Sequence, residues 1–350
     1  MKTYSKKKLP FFQTITPYLL LFICLVLIVC FLPSWLIKPT LLRSAFDEDT
    51  GVIGDTIGGI MAPFIAIIAA LLTFIAFWVQ FQANRKQRED IELERFENKF
   101  YELIRLHRAN VEEMNIADKV KARKVFVKMF YEFKFVYLSF FTIHRAHKNK
   151  LISKAYRQTE LANIAFKTFF YGIGNESNKI INYLIREDDL PLVELVREYL
   201  SIWQGEYIEQ SMKSIGGYGL LSLFTQDGVY TFEPNYFPFD GHASRLGHYY
   251  RHLYQTVTYV VDQPTGFLNR DQKLNYLKTL RAQLSDHEQL LLFYDGISDF
   301  GKAWVDKKLF TNYKMIKNIP LALTLDFYLT PILFLGERND YDELIFEWNE

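Results

Sequence analysis

Arg245-Leu246-Gly247-His248-Tyr249-Tyr250-Arg251-His252 is the stretch of this chain with the densest supply of chemically capable side chains. Read as a helix, it places Arg245, His248, Tyr249 and His252 on one face, while Leu246, Tyr250, Leu253 and Val257 point to another. An arginine can grip a phosphate with a fixed fork of donors, and a histidine can move a proton near neutral pH. Arg245, His248 and His252 are therefore the candidate catalytic residues. The competing readings are a nucleotide or ligand sensor and a polar network between packed helices, with Arg245 and the histidines bound to loop carbonyls or to carboxylates such as Asp295 and Glu288.

Six residues separate Arg245 from His252, a spacing shared with many HEPN-type ribonucleases, in which two such helices meet in a dimer and cut RNA through its 2′-hydroxyl. Other chemistry is sparse. The sequence contains no phosphate-cradling glycine loop, no serine nucleophile elbow and no His-Glu-x-x-His, and it implies no cofactor. His144 and His147 lie one turn apart but among lysines that repel a cation, so no metal site is expected. The only cysteines, Cys24 and Cys30, fall in an apolar run, which leaves the rest without disulfides or a thiol nucleophile and suits a reducing cytosol.

The elements that would carry these residues begin with two apolar runs, Phe11 to Leu32 and Ile57 to Phe81, neither holding a charge. Each is long enough to cross a bilayer as a helix. A cleaved signal peptide is the rival reading of the first, but its apolar region is too long and no small-x-small site follows. Lys2, Lys6, Lys7 and Lys8 precede the first run; Arg85, Lys86, Arg88 and Arg95 follow the second; the connector has Lys38 and Arg43 beside Asp47, Glu48, Asp49 and Asp55. By the positive-inside rule both termini face the cytoplasm. The expected organisation is a basic N-terminus at 1–10, transmembrane helices at 11–32 and 57–81 joined by a short periplasmic loop at 33–56, and a mostly helical cytoplasmic domain at 82–350. The fold class is mainly α, with an N-terminal two-helix transmembrane hairpin in the bacterial inner membrane.

Gly59, Ala62, Ala66, Ala69, Thr73 and Ala76 recur at alternating spacings of three and four, which puts them on one face of the second span. Small side chains let backbones approach within lipid, so this is a helix-packing face. It serves either to complete the hairpin or to assemble several copies. Neither span carries an ionisable residue, so any effect on permeability requires a homo-oligomer or disruption of lipid.

After Gln82 polarity rises, and Leu93, Phe96, Phe100, Leu103, His107 and Met114 keep a helical spacing that extends the second span out of the membrane. His107 lies in that apolar seam and reads as a core histidine satisfied by a hydrogen bond, in preference to a ligand or a switch. Helices follow at Val125 to Phe141, Leu161 to Tyr171 (stopped by Gly172 and Gly174), Leu192 to Trp203, His242 to Val261, Asp271 to Leu284 and Ser285 to Ile297. Ser285 with Glu288, and Asn269 with Gln272, read as capping boxes. Glycines, prolines and aromatics between Gly216 and Gly241 predict a long loop or a small strand pair.

A formal charge of +1 hides a segment, Asp118 to Arg157, with eleven Lys or Arg against two acids. Lys119, Lys121, Arg123, Lys124, Arg145, Lys148 and Lys150 form a candidate patch for an anionic partner. Lipid, nucleic acid and the chain's own acidic stretches at Glu187 to Glu198 and Glu337 to Glu350 are the alternatives.

Five blocks resemble the phage abortive infection proteins: Asp55-Thr56-Ile57-Gly58-Gly59, Phe74 to Gln82, Arg95 to Phe100, Gly247 to Gln255 and Arg281 to Ser285. They also resemble two-span effectors encoded beside reverse transcriptases in retron anti-phage systems. The resemblance runs from about Asp49 to Ser298. It implies bacterial antiviral defence in which an infected cell stops growing before phage matures. For the retron effectors it further implies a toxin acting on the inner membrane, held silent by a reverse transcriptase and its RNA-DNA product. It assigns no catalytic residue.

Overall fold

The computed structural model describes residues 17, 20–24, 27, 28, 31, 50–147, 152, 154–214, 219–324 and 328–347. The protein is mainly helical, and it divides into two units, Met1–Glu97 and Asn98–Glu350.

In the first unit the described part of the first apolar run is helical at 17, 20–24, 27, 28 and 31, and the rest of 11–32 lies outside the described residues. Helix α1, Thr50–Glu113, spans 64 residues and passes from the first unit into the second. Its start at Thr50 makes the last residues of the expected loop helical, because extending a helix by one residue costs little once it is nucleated. Among the described residues α1 is the one helix long and apolar enough to cross a membrane. The two-helix hairpin thus reduces, among the described residues, to a single span. Bulky side chains stand out from this span: Phe74 and Phe77 are each 66 % exposed. Such a surface suits hydrocarbon and not water. Pro63 lies within it, and Thr73 Oγ1 donates to Ala69 O at 2.8 Å, so the hydroxyl needs no outside partner.

In the second unit α1 buries Phe100, Ile104, His107, Val111 and Met114, a stripe stepping by four and three residues. A two-residue hairpin follows, β1 (Asn115–Ile116) paired antiparallel with β2 (Val120–Lys121). Ala117 and Asp118 turn it with φ of 52° and 57°. Helix α2, Lys124–His147, is apolar on nearly every side, as a central helix must be. It packs on α3 (Gln158–Tyr171), α5 (Leu190–Lys213), α8 (Asp286–Ile297) and the hairpin of β3 (Leu221–Thr225) with β4 (Gly228–Phe232). Phe126, Phe130, Phe133, Phe135 and Phe140 on α2 are fully buried. Each contributes about 1.5–3 kcal/mol of burial free energy.

Helix α4 (Asn175–Leu184) lies between α3 and α5, and α6 (Ala243–Val261) and α7 (Arg270–Arg281) precede α8. Short helices α9 (Lys302–Asp306) and α10 (Pro331–Leu335) follow. The two capping boxes form as read: Ser285 Oγ accepts from Glu288 N, and Asn269 Oδ1 from Gln272 N. The expected strand pair between Gly216 and Gly241 is β3–β4, joined by a turn through Gln226 and Asp227. A side chain cannot be added to Gly172 (φ 79°) or Gly241 (φ 90°), since a Cβ on either would fall within 2.7 Å of the other's backbone segment. That approach lets His242 N donate to Phe170 O at 2.8 Å and sets where α6 begins.

Candidate functional site

The structure gives the Arg245–His252 helix turn two separate environments. Arg245 is half-buried, and its Nε donates to Asn115 O at 2.8 Å, with Nη1 3.5 Å from Gly241 O. The guanidinium therefore fastens β1 to the start of α6. Of the readings open for this arginine, the geometry matches the one with loop carbonyls. His248 is exposed, and Tyr249 belongs to the core at 1 % exposure. Glu288 is satisfied by Tyr249 Oη, which donates at 3.1 Å, and by Ser285 N at 2.6 Å, not by Arg245 or a histidine.

His252 faces His107 across α6 and α1, ring centroids 6.2 Å apart and planes 20° from parallel. The Tyr249 ring centroid lies 5.2 Å from that of His107. His107 is 1 % exposed, as a core position should be, yet among the described residues neither ring nitrogen of His107 or His252 has a hydrogen-bond partner. The expected hydrogen bond to His107 is absent among the described residues, where the rings of Tyr249 and His252 lie beside it. Burial, then the neighbouring His252 and Arg123, lower the His107 pKa to about 4, and burial also lowers that of His252.

His107 forms part of the wall of a cavity of about 650 Å³. Its other lining residues are Arg108, Val111 and Glu112 from α1, Lys119, Lys121, Ala122, Arg123 and Lys124 from the hairpin and the start of α2, and Gln283. Gln283 holds two arginines side by side: Arg108 Nε donates to its side-chain oxygen at 2.9 Å and Arg123 Nη2 to its carbonyl at 2.8 Å. Five cations and one acid, Glu112, line the cavity.

Among the described residues the basic segment does not form one patch. Lys119, Lys121, Arg123 and Lys124 gather at this cavity, while Arg145 sits near the far end of α2 on Gln226, and Lys148 and Lys150 lie outside the described residues. The other cations of the segment are engaged elsewhere. Lys128 Nζ donates to Glu233 O at 2.7 Å, buried Lys134 lies over the Tyr230 ring, Lys154 pairs with Asp189 at 2.5 Å and Arg157 with Glu160 at 3.5 Å. The chain's acidic stretches also find partners away from the cavity. Asp189 pairs with Lys154 and Arg186, Glu343 with Arg270 and Lys314, and Asp340 with Lys308.

Sequence reading missed Arg108 and Gln283. Arg108 adjoins His107 on a helix and could have been found from that, but Gln283 is 160 residues from Arg123 and gave no local signal. It also missed a buried acceptor, Glu132 of α2. This carboxylate takes Tyr236 Oη–H, Phe239 N at 2.9 Å and a contact with His242 Nε2 at 3.2 Å. No group of three or more potential metal ligands occurs among the described residues. His144 Nε2 instead lies 3.2 Å from Lys154 O. In the span, Gly59, Ala62, Ala66, Ala69, Thr73 and Ala76 are all exposed.

The fold is mainly helical, and among the described residues one helix is long and apolar enough to cross a membrane. Residues 241–322 match the model of a family described as "Putative phage abortive infection protein", which supports the resemblance to the phage abortive infection proteins over that stretch. The match covers α6 to α9 and two of the five resembling blocks, Gly247 to Gln255 and Arg281 to Ser285. No curated protein and no solved structure matches the chain.

Proposed function

We propose that this protein is a membrane-anchored effector of abortive infection: on phage infection its helical domain releases an N-terminal membrane element that damages the bacterial inner membrane. The observation that carries this reading is the apolar part of α1, whose Phe74, Phe77, Trp78 and Phe81 are exposed, in a chain whose residues 241–322 match an anti-phage family. The apolar run at 11–32 and the flanking lysines and arginines support two passes with both termini cytoplasmic. The small-residue face supports assembly of several copies, which a span without ionisable groups needs in order to breach a bilayer. A reverse transcriptase with its RNA-DNA product is the proposed restraint, on the strength of the sequence resemblance to retron effectors.

The test is membrane potential, followed with a voltage-sensitive dye in cells carrying the native locus during phage infection. Depolarisation before lysis that disappears when the spans are mutated supports the reading. Steady potential in cells that nevertheless yield no phage overturns it. The alternative, an anchored ribonuclease using Arg245 and His252, has less support, since Arg245 is engaged with backbone carbonyls and His252 with His107.

A further inference from the structure

We infer that the cavity between α1 and the β1–β2 hairpin is a binding site for a small polyphosphorylated ligand of nucleotide size. This goes beyond the membrane role and stands on geometry alone, whether or not that role holds. Three observations converge. The first is charge: Arg108, Lys119, Lys121, Arg123 and Lys124 line the cavity against the single acid Glu112, with Lys121 also 3.8 Å from the exposed Asp118, a pair that solvent screens; the other described cations of the basic segment do not line it. The excess read from the sequence is therefore concentrated at one concave place and does not run as a track. A nucleic-acid backbone is followed along a groove by spaced cations; a compact polyanion is enclosed by clustered ones.

The second is the arrangement of donors. Gln283 fixes Arg108 and Arg123 next to each other and takes one N–H from each. Each guanidinium retains further N–H groups in the planar fork that suits phosphate oxygens. The third is His107. Its ring lines the cavity, is 1 % exposed, and has no hydrogen-bond partner among the described residues. A neutral imidazole always carries one N–H, so a phosphate oxygen at the cavity floor would supply the acceptor that the protein does not. A volume of about 650 Å³ lies in the ordinary range for nucleotide-sized ligands. Arg245, by holding Asn115 O, keeps the hairpin in place over this site and acts as a positioning residue.

The experiment uses the full chain in nanodiscs of neutral phosphatidylcholine, titrated with fluorescent ATP and competed with inorganic tripolyphosphate. Saturable binding that tripolyphosphate displaces is expected, weakened at least tenfold by Arg108→Glu and by Lys121→Glu, both exposed and not needed for the core. Lys179→Glu, on the exposed face of α4, serves as the control and should bind as wild type. Absence of saturable binding overturns the inference, as does equal loss in the control. Binding only to nanodiscs containing phosphatidylglycerol, or only to oligonucleotides with no competition by tripolyphosphate, also overturns it and makes the surface a lipid or nucleic-acid contact. Since binding is read on purified protein, its failure is separable from failure of membrane depolarisation in cells.

Discussion

His107 and His252 lie ring to ring, 6.2 Å between centroids, with none of their four ring nitrogens hydrogen-bonded among the described residues. Burial lowers the pKa of both, that of His107 to about 4. The consequence for stability has a definite sign. His107 keeps a pKa of about 4 when folded, against about 6.5 unfolded, so between those values the unfolded chain binds the extra proton. Stability from this residue is complete above pH 6.5 and is lost as pH falls toward 4, by about 3 kcal/mol in all. His252 and His287, also lowered by burial, add to the loss. The thermal midpoint should fall from pH 7.5 to pH 5, and His107→Leu should flatten part of that fall. An unchanged slope in the variant would remove His107 as its source.

Arg245 secures the hairpin through Asn115 O, and hydrogen bonds from a charged donor are worth about 1.5–3 kcal/mol. Arg245→Ala should therefore lower the thermal midpoint and weaken polyphosphate binding together. His252→Ala should retain anti-phage activity, because in this reading no proton transfer depends on it. Loss of RNA cleavage by purified protein in both variants, with loss of defence in step, would instead restore the catalytic role.

Glu132 is buried and accepts from Tyr236 and Phe239 while touching His242. Glu132→Ala leaves those groups without their acceptor inside the core, at a cost of about 1–3 kcal/mol for each buried donor left unpaired. Glu132→Gln keeps one carbonyl oxygen and should cost less. Fluorescence-monitored heating of the two variants beside wild type gives the order; a Gln variant as unstable as the Ala variant would contradict it.

Ala66 and Ala69 are exposed on the small-residue face of α1. Ala66→Leu with Ala69→Leu should block close approach of neighbouring spans and abolish toxicity while the protein still inserts, as read by carbonate-resistant membrane fractionation and growth after induction. Full toxicity in the inserted double variant would exclude assembly through this face.

Elements set by neighbours in sequence were legible from the sequence alone. The apolar stretch of α1, the stripe from Phe100 to Met114, the helix stop at Gly172 and the caps at Asn269 and Ser285 all depend on a period of 3.6 residues or on a side chain reaching three residues along. The charge excess of Asp118 to Arg157 was also plain in the sequence, as was the family resemblance. Strands of two residues carry no period, so the β1–β2 hairpin was not readable. Only the tertiary structure decided which cations act together. Lys124 and Arg145 occupy one helix but opposite ends of it, whereas Arg108, Arg123 and Gln283 are distant in sequence and meet in space. Charge in a sequence adds up along the chain; its field depends on distance in the fold, where chain order no longer counts.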